Sequence, residues 1–170
     1  MDSIVSGSAL SDEPGLGALT LPGFLREVTE MYSEREALVF RAADGVTRWT
    51  YAELFDEAVG VARALRARDV GKGTRVGVLM TNRPEWISAL FGISMAGGVA
   101  VALSTFSTAA ELDYLLQSSC VSVLLFERSV AKKDFADALA ELGATSLPST
   151  TYPFLRKLVA IDGGAPGVQS

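Results

Sequence analysis

The chain has 170 residues, 49% of them hydrophobic, with 15 basic and 20 acidic side chains, a net charge of −5, no histidine and one cysteine. The missing histidine excludes, within these residues, a His general base, a Ser-His-Asp triad and an imidazole metal ligand, and the lone Cys120 excludes an intrachain disulfide. There is no Lys/Arg cluster beyond pairs such as Lys132-Lys133, so no nucleic-acid partner is expected; with no apolar run of about twenty residues and a start, Met1-Asp2-Ser3, unlike a leader, a cytoplasmic protein without a transmembrane segment is expected.

Residues 1–19 are rich in Ser, Gly, Ala and acidic residues without a period, which predicts a flexible N-terminal arm. From Leu21 the pattern changes. Leu21, Phe24, Leu25, Val28 and Met31 recur at helical spacing behind Thr20, a capping residue, with Pro22 in the first turn. Ala37 to Phe40 and Val46 to Trp49 are two β-prone runs joined through Ala42-Ala43-Asp44-Gly45, which predicts a hairpin. Thr50-Tyr51-Ala52-Glu53 then reads as a capping box opening a long helix whose inward face is Tyr51, Leu54, Phe55, Ala58, Ala62 and Leu65.

Three further units repeat one grammar, a short apolar strand leading into a capped amphipathic helix. Val76 to Met80 is a strand, after which Asn82 is expected to cap a helix burying Trp86, Ile87, Leu90, Phe91 and Met95 and ending at Gly97-Gly98. Val99 to Leu103 is the next strand, followed by the capping box Thr108 to Glu111 ahead of Leu112, Leu115 and Leu116. Val121 to Phe126, nearly all apolar, fits a strand covered on both faces. A last helix is expected over Ala131 to Leu142, with Gly143 at its exit, then a Ser/Thr/Pro loop and a strand from Leu155 to Asp162. Residues 163–170 read as a flexible tail. The alternation predicts an α/β fold, a largely parallel sheet flanked by helices with an N-terminal β-hairpin, as one undivided unit over residues 20–162.

A phosphate cradle needs a strand before its glycines and a helix start after them. Gly71-Lys72-Gly73 precedes a strand, Gly97-Gly98 ends a helix, and Gly163-Gly164 has no helix to open, so all three read as punctuation. The run Thr145-Ser146-Leu147-Pro148-Ser149-Thr150-Thr151 holds neither glycine nor lysine and is rejected as a phosphate loop. Cys120, between Ser119 and Val121, reads as a small buried filler at a helix-to-strand turn, because it has no catalytic partner. No residue is assigned as catalytic, cofactor-binding or metal-binding. Thr81-Asn82-Arg83 and Ser104-Thr105-Phe106 follow strands and so stand nearest a pocket wall, with Asn82 explained by capping and Arg83 expected in solvent.

Order and spacing carry a stronger signal. Trp49-Thr50-Tyr51-Ala52-Glu53-Leu54 is similar to the first core motif of adenylate-forming enzymes, and Met95-Ala96-Gly97-Gly98-Val99-Ala100-Val101-Ala102-Leu103 to the second. Between them, Arg75 to Met80 and Asn82-Arg83-Pro84-Glu85-Trp86 match a strand and the helix start that follows it, and Ala110 to Leu116 matches the next helix. Over residues 20–162 the chain resembles the N-terminal portion of AMP-forming acyl-CoA synthetases. The resemblance implies a parent enzyme that uses ATP and Mg to turn a carboxylic, fatty or similar apolar, acid into an acyl-adenylate and then transfers it to CoA. Many such synthetases carry Pro-Leu/Ile-Asn-Pro after the second motif, where this chain has Ala102-Leu103-Ser104-Thr105-Phe106. The family's phosphate loop, metal ligand, ribose-binding aspartate and catalytic lysine all come later than these residues, so the 170-residue chain is expected to bind no cofactor and to be inactive alone. The remainder of the enzyme is its expected partner, and an apolar face left open predicts a homo-oligomer. The alternative is a non-catalytic dimerisation or scaffold domain with the same fold. A Rossmann-type binder lacks its glycine fingerprint.

Overall fold

A computed structural model describes residues 20–43 and 45–162; the expected arm, the expected tail and Asp44 of the hairpin turn lie outside the described residues. Helix α1 (Leu21–Tyr32) begins where Thr20 Oγ1 accepts the Gly23 N–H at 3.1 Å. Only a narrow stripe of it is buried, Gly23, Leu25 and Val28, whereas Leu21, Phe24 and Met31, expected inward, are about half exposed. The core beneath α1 is small: Leu25, Leu54 and Ala58 are buried, and the hydrophobics packed around them, Trp49, Phe55 and Phe91 among them, are themselves only partly buried.

Strands β1 (Glu36–Ala42) and β2 (Gly45–Thr50) form the expected antiparallel hairpin, pairing Phe40 with Thr47 and Leu38 with Trp49, with an irregularity between Glu36 and Leu38. Helix α2 (Tyr51–Arg66) starts on the expected capping box. The Glu53 N–H donates to Thr50 Oγ1 at 3.2 Å and the Thr50 N–H donates to Glu53 Oε2 at 2.7 Å, so two orphan backbone donors are satisfied reciprocally.

Next come β3 (Arg75–Leu79), α3 (Pro84–Met95), β4 (Val99–Ala102), α4 (Ala109–Ser119) and β5 (Val123–Phe126). Thr108 and Glu111 form the second capping box. The chain then makes a two-stranded ribbon, β6 (Ser129–Val130) with β7 (Lys133–Asp134), before α5 (Phe135–Glu141) and β8 (Lys157–Ala160). The last helix is therefore shorter than the expected Ala131 to Leu142. Ala131 stands at φ 54°, which turns the ribbon, and Asp134, not an earlier residue, caps α5 by accepting the Asp137 N–H at 3.1 Å.

Four strands make one parallel sheet in the order β4-β3-β5-β8, with Val76 level with Ala100 on one side and Val123 on the other, and Val123 level with Lys157. The step from β3 to β4 runs one way across the sheet and those from β4 to β5 and β5 to β8 run the other. Right-handed crossovers then send α3 to one face and α4 and α5 to the opposite face. Side chains agree: Leu65, Ala89 and Ile93 of α2 and α3 pack with Val76, Val78 and Val123, whereas Leu112, Leu116, Phe135 and Leu139 of α4 and α5 pack with Leu124, Phe126 and Leu158. Strand β5 is buried along its whole length, as its apolar run predicted.

Two expectations about α3 are corrected. Its first residue is Pro84, Arg83 holds the cap position without a side-chain cap bond, and Asn82 is exposed one residue too early to cap. Proline supplies the preset φ for the first turn and has no N–H to satisfy, so a capping side chain is less needed there. Its buried side is Ser88, Ala89, Gly92 and Ile93, while Trp86, Ile87, Leu90, Phe91 and Met95 are half-buried. Small residues win the inner positions because α2 lies so close: a Cβ on Gly92 would stand 2.6 Å from Val61 Cγ1 and 2.9 Å from the Ala58 carbonyl oxygen. At the exit, Gly97 adopts φ +83°, a left-handed conformation that glycine tolerates without steric cost.

Candidate functional site at the carboxyl ends of the strands

Open parallel sheets place ligands beyond the carboxyl ends of their strands. At that edge, Thr81-Asn82-Arg83 follow β3, Ser104-Thr105-Phe106 follow β4, Glu127-Arg128 follow β5 and Asp162 follows β8. Because Leu79 pairs with Phe126, and the Glu127 N–H donates to the Leu79 carbonyl at 3.0 Å, the chain leaves β3 and β5 side by side. Glu127, only 14% exposed, fills the gap: its Oε2 accepts the Thr81 N–H at 3.0 Å and the Thr81 hydroxyl at 2.7 Å, and its Oε1 lies 3.3 Å from Arg83 Nη1.

Arg83 closes the cluster. Its Nε donates to Glu85 Oε2 at 2.8 Å and its Nη2 to Glu85 Oε1 at 3.1 Å, a two-pronged fork that leaves the arginine 22% exposed between two carboxylates. The expectation of a solvated Arg83 is thus corrected; a cation held this close to Glu127 is retained because both charges are paired. The fork holds the Glu85 carboxyl below the ordinary carboxylate range, and the same hydrogen bond raises the Arg83 guanidinium further. Across β5, the Arg128 N–H donates to Asp162 Oδ1 at 2.8 Å and Arg128 Nε approaches Asp134 Oδ2 at 3.4 Å. Each of these carboxylates already has a partner, which suits a brace joining three strand ends.

Asn82 and Arg83 line a cleft of about 320 Å³ whose apolar walls include Leu38 and Phe40 of the hairpin and Trp86 and Ile87 of α3. Ser104 and Phe106 border a different surface depression, with Glu111, Tyr114 and Leu115, and Phe106 is 90% exposed. The two strand-end segments singled out in the sequence are therefore not brought together. Glu127 was missed altogether; its one sequence signal is an acidic residue directly after an apolar strand, at the level where a neighbouring strand also ends.

The glycine turns serve the fold. The Gly73 N–H donates to the Gly97 carbonyl at 3.0 Å, so the turn before β3 and the exit of α3 are bonded to each other. In the Ser/Thr loop, Ser149 Oγ accepts the N–H groups of Thr151 and Tyr152, and the Tyr152 hydroxyl donates to Asp113 Oδ1 at 2.6 Å. Burial and the Asp113 charge push the Tyr152 phenol far up. Cys120 does form the helix-to-strand turn, at φ 52° beyond α4, but it is half-exposed, so its reading as buried filler is corrected: a left-handed residue at a helix end turns its side chain out of the core. Among the described residues no group of three or more His, Cys, Asp or Glu is placed to hold a metal, and no helix is long and apolar enough to cross a membrane.

A parallel sheet covered on both faces, with a braced carboxyl edge and an N-terminal hairpin, defines the class as an α/β sheet domain. A family profile described as AMP-binding enzyme matches residues 25–160, and the chain belongs to that family. It is 30% identical over 151 residues to the acyl-CoA ligase SID4 of Ajellomyces capsulatus, covering 89% of this chain and 25% of that protein. It is 32% identical over 149 residues to the acyl-CoA ligase sidI of Aspergillus fumigatus, covering 88% of this chain and 25% of that protein. Among solved structures, the anthranilate CoA ligase AuaEII in complex with anthranoyl-AMP superposes with a TM-score of 0.77 at 24% identity, over 96% of this chain and 28% of that one. The chain thus spans about a quarter of the length of these curated relatives, their N-terminal portion.

Proposed function

We propose that this chain is the N-terminal part of an ATP-dependent, AMP-forming acid-thiol ligase. In the first half-reaction of the whole enzyme the substrate carboxylate attacks the α-phosphorus of ATP and expels pyrophosphate; in the second, the CoA thiol attacks the acyl carbon and expels AMP. The acid is a fatty or similar apolar one and the compartment is the cytoplasm. The reading is carried by the family match over residues 25–160 together with relatives that are themselves acyl-CoA ligases.

The 170-residue chain alone turns over no ATP. Phosphoryl-group chemistry depends on positioned cations and free backbone donors around the reacting phosphorus. Here the strand-end carboxylates are bonded to Thr81, Arg83 and the Arg128 N–H, and the glycine turns sit where a strand begins or a helix ends. These residues do not fit a Mg-nucleotide, and no step is assigned to them; their part is to brace the sheet against the rest of the enzyme.

The native reading frame tests this directly. Coding sequence that continues past Ser170 into a Ser/Thr/Gly loop with a lysine is expected. A stop codon immediately after Ser170 would contradict the ligase and favour a non-catalytic scaffold with this fold.

A further inference from the structure

Charge on this chain is segregated by sheet edge. At the end of the sheet opposite the carboxyl-edge brace, where β3, β5 and β8 begin, basic residues gather. Arg75 opens β3, level with Val99 of β4. Ser122 and Arg156 stand one residue before Val123 and Lys157, which are paired with each other, so they fall on the same row as Arg75. The Ser122 N–H donates to the Arg75 carbonyl and the Arg156 N–H to the Ser122 carbonyl, both at 2.8 Å, which fixes that row across the strand starts. Arg75 and Arg156 are exposed and, two strand spacings apart, stand about 10 Å from each other.

The turn before β3 brings further cations to this edge. Exposed Arg63 and Arg66 lie in the last turn of α2 and exposed Lys72 follows, with Asp69 the one acid between Arg63 and Arg75. Arg66 Nη1 donates to the Val70 carbonyl at 3.2 Å, and Lys157 Nζ reaches the Arg68 carbonyl at 3.4 Å, so the end of α2 is tied to the start of β8. Among the described residues no ion pair takes up Arg66, Lys72, Arg75 or Arg156. The row ends in apolar side chains: Val99 is 48% exposed on one side, and Phe154, two residues before Arg156, is 55% exposed on the other.

We infer that this amino edge is a peripheral membrane-docking surface, with Arg66, Lys72, Arg75 and Arg156 against the headgroups of an anionic leaflet and Phe154 set into the layer beneath. The inference goes beyond the ligase reading and does not depend on it. Cations without acidic partners select an anionic surface, whose potential attracts each of them. Exposed apolar groups flanking the cations select a surface with hydrocarbon under its charge, which a nucleic acid lacks. The carboxylates Glu85, Glu127 and Asp162 lie at the opposite edge. The five residues of β3 span about 16 Å, against a screening length of about 8 Å at physiological salt, so the acidic edge does not cancel the attraction of the basic one.

Vesicle flotation tests the inference, because self-associated protein does not float. The 170-residue chain should float with vesicles of phosphatidylcholine mixed with phosphatidylserine, stay behind with phosphatidylcholine alone, and be released by high salt. Arg75→Gln and Arg156→Gln should each weaken binding about fivefold, the equivalent of about 1 kcal/mol for a cation at an anionic leaflet. Phe154→Ser should weaken it about three- to tenfold, the burial still open to a half-exposed phenylalanine. Lys132→Gln makes the same charge change in the ribbon beyond the carboxyl end of β5 and should leave binding unchanged. No flotation with the mixed vesicles, or equal losses from Lys132→Gln and Arg75→Gln, would overturn the inference. Phe154→Ser without effect would also overturn it, and binding to a single-stranded oligonucleotide would then make the partner a nucleic acid. If Arg75→Gln does not fold, Arg156→Gln, outside every strand, decides in its place.

Discussion

Glu127 is the residue on which the strand-end brace turns. One carboxylate there satisfies a backbone donor, a hydroxyl and a guanidinium belonging to the loop after β3. Replacing Glu127 with Ala leaves the half-buried Thr81 N–H without its acceptor and Arg83 with one carboxylate in place of two. A loss of about 1–2 kcal/mol is expected in urea denaturation, the usual penalty for an unsatisfied, partly buried polar group. Arg83 gives a second prediction with a definite sign. Because the fork lowers the Glu85 carboxyl in the folded chain, the pair stabilises the fold above the ordinary carboxylate range, and that contribution is lost as pH falls through the lowered value. Arg83→Met should therefore cost stability at neutral pH, and the deficit against wild type should shrink near pH 3. Glu85 is 44% exposed, so the part of the deficit that fades should stay within about 1 kcal/mol. A deficit of constant size from pH 7 to pH 3 would show that the arginine acts through packing alone.

At the scale of elements, the contact of α2 with α3 is set by the absence of one methyl group. Gly92→Ala would gain up to about 1 kcal/mol of helix propensity but drive a Cβ against Val61 and against a backbone oxygen that has little room to move. Overpacking of that kind costs about 1–3 kcal/mol, so a net loss is expected. Gly60, in α2 and with nothing within 4 Å of a Cβ, is the matched opposite: Gly60→Ala should stabilise by about 0.5–1 kcal/mol. Thermal melts of the two variants should therefore move in opposite directions. Most of this architecture was legible in the sequence, because capping boxes at Thr50 and Thr108, the all-apolar run of β5 and the glycine exit of α3 are local signals with local causes. What was not legible depended on neighbours distant in sequence. The buried side of α3 is chosen by its closeness to α2, which favours Ser88, Ala89 and Gly92 over the bulkier Trp86 and Phe91. The pairing of Arg83 depends on a carboxylate forty-four positions later, and the ribbon of β6 and β7 takes residues that periodicity had given to a helix.

For the molecule as a whole, several large apolar side chains remain exposed. Val99 on the outer strand β4, Phe106 after it and Tyr114 on α4 are 48%, 90% and 69% exposed, and among the described residues β4 has an unpaired edge with no charged residue along the strand. Exposed apolar edges of this kind promote association. The 170-residue chain is accordingly expected to run as a dimer or larger species in light scattering at tens of micromolar, and Phe106→Ser to weaken that association; a clean monomer would count against it.

The central claim is that adenylation belongs to the whole ligase and requires groups that these residues do not provide. Exchange of labelled pyrophosphate into ATP, in the presence of Mg and a panel of carboxylic acids, measures the first half-reaction alone. The account predicts no exchange above the blank for the purified 170-residue chain and acid-dependent exchange for the longer polypeptide encoded by the intact frame; acid-dependent exchange by the 170-residue chain unaided would contradict it.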